Sequence, residues 1–201
     1  MAFATATASV THWKNQSKTK ALLSLGGLMR IEVRDGLESP GEVAPLVAAV
    51  YPPEVLATAV WRDVVSARAT LRILVYDVDM LISAVGLLFR RGTIYGTATD
   101  IAGIGGVMTH PDARRRGFGK AAMEAAHEVI VRDHGSAFGL LFCETRNYGF
   151  YQGLGWRFFD GIVIAEQPNS TGPYQVMAPF VRPFHGKTPP GGTIDLCGLP
   201  W

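Results

Sequence analysis

Several things are scarce in this 201-residue chain, and each scarcity removes a class of answer. There are two cysteines, Cys143 and Cys197, and they do not form a C-x-x-C pair. That leaves no basis for a disulfide framework or a zinc knuckle, no metal is expected, and the cysteine usage suits a reducing, cytoplasmic setting. No run approaches the roughly 18 apolar residues that a membrane span needs, so no membrane partner is expected. The formal net charge is only +2. Lys and Arg are not spread over a face with interleaved aromatics, and nucleic acid is not indicated. Acidic residues are missing altogether from the first 29 positions, which are rich in Ser, Thr and Ala and carry Lys14, Lys18 and Lys20. That stretch also lacks the continuous apolar core of a signal peptide. Residues 1–29 are therefore expected to be a poorly ordered extension, 30–181 one globular domain, and 182–201 a Pro/Gly-rich tail.

What is present is a chain that is 48% hydrophobic, enough to bury one sizeable core. Past Met29 it alternates between strand and helix patterns without internal repeats. "RIEVRDG" reads as a strand, and the stretch around Pro52 and Pro53 as one or two helices interrupted by those prolines. Two apolar strands follow with a turn at 77–79, then a third over 100–109. Helical spacing appears at Phe118, Ala122, Ala125, Ala126 and Val129. "FGLLFCE" is a strand, "RNYGFYQGLG" a short helix ended by glycine, and two further strands close the pattern. The expected fold class is α/β (α+β), a mixed, mostly antiparallel sheet flanked by helices.

The stretch "RRRGFGK" lies between the third of those strands and the following helix. The unpaired N–H groups of a helix start and the positive end of its dipole attract anions. Glycines at 117 and 119 would let a phosphate approach, and the arginines add charge-assisted hydrogen bonds. A pyrophosphate is the natural ligand. "GFGKAA" also fits a loose dinucleotide fingerprint, with Glu144 near the position of a ribose-binding acid. However, seven residues separate Thr109 from Gly117, whereas that fingerprint turns directly from strand into glycine.

The R-x-x-G-x-G pattern of residues 114–119, preceded by "VMTHPDA" and followed downstream by "FYQGLGW", resembles the GNAT superfamily of acyl-coenzyme A dependent N-acyltransferases. The resemblance spans roughly 29–181. It implies a GNAT-like sheet and acetyl-CoA as co-substrate, gripped by Arg114, Arg115, Arg116, Gly117, Phe118, Gly119 and Lys120. It also implies a splayed strand whose Val107, Met108 and Thr109 bind the pantetheine arm. Tyr151 matches the tyrosine that protonates the departing thiolate. An asparagine usual about seven residues before that tyrosine is here Asn147, only four before it. Relatives that acetylate aminoglycosides carry a glutamate base where this chain has Gly105, so the base is left to Asp100 or Glu144 acting through water.

The tail "VRPFHGKTPPGGTIDLCGLPW" and "ARATLRILVYD" resemble nodulation N-acyltransferases. The Gly-Trp at 155–156 and Trp201 are similar to aminoglycoside 2'-N-acetyltransferases. Both branches imply a small-molecule acceptor, the amine of an amino sugar, held by Asp195 and the carboxylate of Trp201. A longer acyl donor, a non-catalytic acyl-CoA-binding module and a homodimer are left open.

Overall fold

The computed structural model describes the backbone of residues 18–24 and 27–201, and side chains from Met29 onward. Residues 1–17 and 25–26 of the expected extension lie outside the described residues. Its remainder joins the sheet: strand β1 (Lys18–Ser24) pairs antiparallel with β2 (Gly27–Asp35) along its whole length.

Asp35 ends β2 by accepting the Leu37 N–H at 2.7 Å, an Asx turn. Proline starts the next two helices, α1 (Pro40–Val50) and α2 (Pro53–Thr58), where its missing N–H costs nothing. Pro52 separates them because the residue before a proline is pushed out of helical conformation. The hairpin of β3 (Leu71–Asp77) and β4 (Met80–Ile94) turns at 77–79 as expected, with Val78 at φ 57°. β5 (Thr97–Thr109) leads to a single 3-10 turn, Pro111–Ala113, and then to α3 (Phe118–Val129), which a π turn, Ile130–His134, extends to Gly135. Ala122, Met123, Ala126 and Val129 form the buried stripe of α3, and the small alanines let the helix lie close on β3 and β4. β6 (Phe138–Cys143), α4 (Tyr148–Gln152), β7 (Arg157–Phe158), β8 (Gly161–Gln167), β9 (Ser170–Pro173), β10 (Ala178–Pro183) and β11 (Gly192–Asp195) complete the chain.

The main sheet runs β1-β2-β3-β4-β5-β6-β10-β7. Its pairs are antiparallel except β5–β6, so the sheet is mixed and mostly antiparallel. α3 covers one face, burying Ile31, Ile73, Val75, Val85, Leu87 and Ile104. On the other face α1 covers Leu74, Tyr76, Ala84 and Met108. A second cluster on that face gathers Ile101, Phe138, Leu140, Val163, Ile194 and Leu196.

The tail expected at 182–201 is a structural part of the domain. β11 runs parallel to β8 and antiparallel to the end of β4, with Ile194 opposite Ile94. Ile194 and Leu196 are fully buried. The sequence hides this because four strand residues set among Gly and Pro carry too little periodicity to stand out. The two closing strands of the sequence reading are four, because Phe159 and Asp160 break the first into β7 and β8 and a tight β8–β9 hairpin follows.

Candidate active site

β5 and β6 pair only from Ile101–Phe138 to Ile104–Leu141. Beyond that point β6 is held by β10, with Cys143 opposite Ala178, while β5 is held by β4. The two strands diverge, and the β5 edge facing β6 is left without a strand partner. A bulge drives this divergence: Gly105 pairs Gly86 and Met108 pairs Ala84, so Gly106 and Val107 together oppose Val85 alone. Gly106 sits at φ 56°, the left-handed region where a side chain is strained. Ser83 Oγ donates to the Met108 carbonyl at 2.7 Å and lies 3.0 Å from Thr109 Oγ1, pinning the end of β5 to β4.

A cavity of about 420 Å³ opens in the cleft. Gly105, Gly106 and Val107 of β5 and Phe142 and Cys143 of β6 line it, together with Tyr51, Trp61, Arg68, Arg72, Glu144, Asn147, Tyr151 and Trp201. Sequence reasoning missed Tyr51, Trp61, Arg68 and Arg72. Tyr51 follows the last residue of α1, and its ring meets Trp61 edge-on at 5.2 Å. That wall is assembled from chain segments with no motif of their own.

Beyond the end of β5 the basic loop leads into α3, and none of its residues lines the cavity. Gly117 caps the helix at φ 89°, no acidic residue stands in its first turn, and no atom lies within 4 Å of where a Gly117 Cβ would be. An anion can therefore reach the first N–H groups of α3. Gly119 has a different reason for being glycine: a Cβ there would stand 2.9 Å from Thr109 Oγ1, so it lets the helix seat against β5. The Phe118 side chain is buried, which leaves only its backbone toward solvent. The arginines divide. Arg114 donates to the Thr109 carbonyl at 3.4 Å, and Arg115 is exposed at φ 61°. Arg116 donates to Asp77 at 3.1 Å across the β3–β4 turn and lies over the Phe118 ring. Lys120 lies 3.7 Å from Glu124.

Tyr151 of α4 is buried and faces the cavity. Burial first, then Cys143 and Tyr51, hold its phenol far above the ordinary value, so it keeps its proton. The Cys143 thiol is likewise pushed up to about 12 by burial, and then by Glu144, which keeps it an inert thiol. Glu144 lines the cavity half-buried, with Arg146 donating to it at 2.9 Å. Asp100 is elsewhere: it is exposed near the start of β5, five residues from Gly105 or roughly 16 Å along the strand. Asp195 also lies outside the cavity lining, because its carboxylate accepts the Cys197 N–H at 2.8 Å and shapes the tail.

Trp201 explains why no carboxylate occupies position 105. Its indole lies on Gly103, where a Cβ would stand 2.4 Å from the ring. At Gly105 a Cβ would stand 2.9 Å from the carboxyl carbon of Trp201, which places that group against the β5 bulge. The indole N–H donates to the Leu140 carbonyl at 3.0 Å, across the line where β5 and β6 part. A glutamate at 105 would displace this residue.

A model of the acetyltransferase (GNAT) domain matches residues 41–159, more than half of the chain. The chain is a GNAT-family acetyltransferase. Solved structures agree on the fold. The GNAT fold here is similar to Escherichia coli ElaA at 17% identity and TM-score 0.54, covering 77% of this chain and 99% of that one. It is equally similar to the GNAT family N-acetyltransferase YhbS of Escherichia coli in complex with CoA, at 16% identity and TM-score 0.54, over 92% and 93% of the two chains. A GCN5-related N-acetyltransferase from Kribbella flavida shares 28% identity over 44% of this chain, but only 22% of its own length is covered, at TM-score 0.41. No curated protein matches. Among the described residues of the GNAT domain no three His, Cys, Asp or Glu side chains gather as a metal site, and no helix is long and apolar enough to cross a membrane.

Proposed function

We propose that this GNAT domain transfers an acetyl group from acetyl-CoA to a primary amine bound in the cleft between β5 and β6. The observation that carries this reading is one cavity bounded by a protonated Tyr151 and by the unpaired edge of β5, the strand that leads into the open N-terminus of α3. The N–H groups of residues 117–120 and the side chains of Arg114, Arg115 and Lys120 would hold the pyrophosphate. Arg116, paired with Asp77, would brace the loop. The β5 edge at Val107, Met108 and Thr109 would hold the pantetheine arm as an added strand does, chiefly at Val107, since Ser83 and Arg114 already reach the Met108 and Thr109 carbonyls.

The chemistry then follows without a covalent enzyme intermediate. The amine nitrogen attacks the thioester carbon, and the carbonyl oxygen takes up negative charge beside backbone N–H groups of the β5 bulge. The C–S bond breaks, the electron pair leaves on sulfur, and Tyr151 gives its proton to the thiolate. The proton released by the nitrogen passes through water to Glu144. Asp100 has no part in this scheme, being remote and exposed. Trp201 forms the acceptor wall through its indole.

Thiol release from acetyl-CoA over an amine panel tests this reading. Tyr151→Phe should lower kcat by about 10²- to 10⁴-fold while the coenzyme-induced rise in melting temperature persists. Because burial holds the phenol above its ordinary value, the wild-type rate should show no alkaline loss from Tyr151 below about pH 10. Amino sugars, aminoglycosides and longer acyl donors, which the branch resemblances imply, belong in the same panel. Coenzyme binding with no thiol release from any amine would favour a non-catalytic acyl-CoA-binding module. A melting shift with NAD(P) but not coenzyme A would overturn both.

A further inference from the structure

The cavity contains a cation, Arg72, that makes no ion pair among the described residues. Arg34, Arg72, Gly86 and Gly105 are successive cross-strand partners on β2, β3, β4 and β5. Arg72 therefore stands two strand spacings, about 10 Å between Cα atoms, from the β5 bulge. The intervening position is Gly86, and Ala69 is the small side chain that lies over it, with its Cβ 3.1 Å from where a Gly86 Cβ would be.

The other arginines on this face are engaged. Arg30 and Arg34 both pair with the buried Glu32. Arg90 donates to the Leu199 carbonyl at 2.7 Å and to the Leu196 carbonyl at 3.4 Å. Arg72 differs: among the described residues no ion pair reaches its guanidinium, and its Nε, like that of Arg34, is buried without a hydrogen-bond partner. Burial lowers its pKa, but a guanidinium remains charged at any working pH. Arg68 lines the same cavity and adds a second positive charge. The carboxylate of Glu144 is tied to Arg146.

A half-buried, unneutralised guanidinium is costly unless something arrives to pair with it. Its planar fork fits a carboxylate through two parallel hydrogen bonds. We propose that Arg72 receives a carboxylate of the acceptor, so that the acceptor is an amino-acid-like molecule with its amine and carboxylate a few bonds apart. Bound this way, the carboxylate lies on Arg72, the carbon skeleton passes over Ala69, and the amine reaches the bulge of β5. Tyr51 and Trp61 close the cavity as aromatic walls.

This inference rests on the acetyl-transfer reading above, and the experiment separates the two. Acceptors are compared as matched pairs, each an amino acid or dipeptide against its carboxamide, with polyamines and aminoglycosides alongside. The wild type should favour the acid over the amide by about 10- to 100-fold in kcat/KM. Arg72→Gln should bring that ratio close to one, mainly through KM for the acid, and Arg72→Lys should restore part of it. A second readout needs no turnover: with coenzyme A present, an N-acetyl amino acid should stabilise the wild type more than its N-acetyl amide, and Arg72→Gln should remove the difference. Preference for amides or polycations, equal loss of both pair members in Arg72→Gln, or equal stabilisation by the two N-acetyl compounds overturns the proposal. Thiol release failing with every amine, while the acid-selective stabilisation persists, overturns the transfer reading and leaves the carboxylate site standing.

Discussion

His127 shows how one side chain far from the cleft sets the solution behaviour of the whole protein. It lies on the buried face of α3, where Trp156 Nε1–H donates to its Nε2 at 3.1 Å. Burial, and then the charge of Arg182, push its pKa down to about 3, against the ordinary value near 6.5. The folded state therefore keeps the ring neutral, whereas the unfolded chain takes up a proton below about pH 6.5. Its contribution is complete above that pH and is lost as pH falls toward 3. Between about pH 7.5 and 5 this group alone should cost about 2 kcal/mol. Urea unfolding across that interval checks it, with His127→Gln as the comparison: glutamine still accepts from Trp156 but does not titrate, so its stability should fall less steeply. A variant as pH-sensitive as the wild type would refute the assignment. At this scale the sequence was uneven. Tyr151 stood out because its neighbours form a motif, and the structure places it at the cavity; His127 and Arg72 have no local signature and acquire their surroundings only from what folds over them.

At the scale of elements, the bulge in β5 is the device that opens the site. Gly106 holds φ 56°, and no atom lies within 4 Å of its Cβ position. A side chain there meets backbone strain and not a clash. Gly106→Ala should therefore destabilise by about 1–2 kcal/mol in chemical unfolding and, by disturbing the unpaired edge, raise KM for acetyl-CoA. An unchanged KM would argue that the bulge does not shape the donor groove. The sequence displayed "GIGG" before the basic loop, which suggested a strand able to bulge, and the helix after it was plain from its apolar spacing. It did not show where β5 and β6 part, because divergence depends on β10 claiming the far edge of β6. Nor did local spacing distinguish Gly117, glycine for conformation, from Gly119, glycine for closeness to Thr109.

At the scale of the molecule, the chain after residue 182 joins elements that otherwise meet only through the main sheet. β11 bridges β4 and β8, Arg90 holds the carbonyls of Leu196 and Leu199, and the Ala67 N–H donates to the Pro200 carbonyl at 2.6 Å. Deleting residues 196–201 would uncover the glycines beneath Trp201 and remove the buried Leu196. The melting temperature should fall by several degrees, and acceptor KM should rise more than KM for acetyl-CoA. Loss of donor binding equal to the loss of acceptor binding would show that the tail supports the fold alone. Composition predicted a Pro/Gly-rich appendage here, because what makes this segment structural is pairing across long sequence separation, which no window along the chain contains.

That pairing sets an order of events during synthesis. Ile194 lies opposite Ile94, and Trp201 rests on Gly103, so about a hundred residues must be translated between each strand and its cover. A nascent chain that has already formed β2–β5 and α3 holds the basic loop and the β5 bulge, yet the face that Trp201 later covers is still open. Closing that side must wait for a long-range loop to form, a slow step. The cleft is thus completed from the β5 bulge toward Trp201, and the last residues made are the ones that cover Gly103 and Gly105.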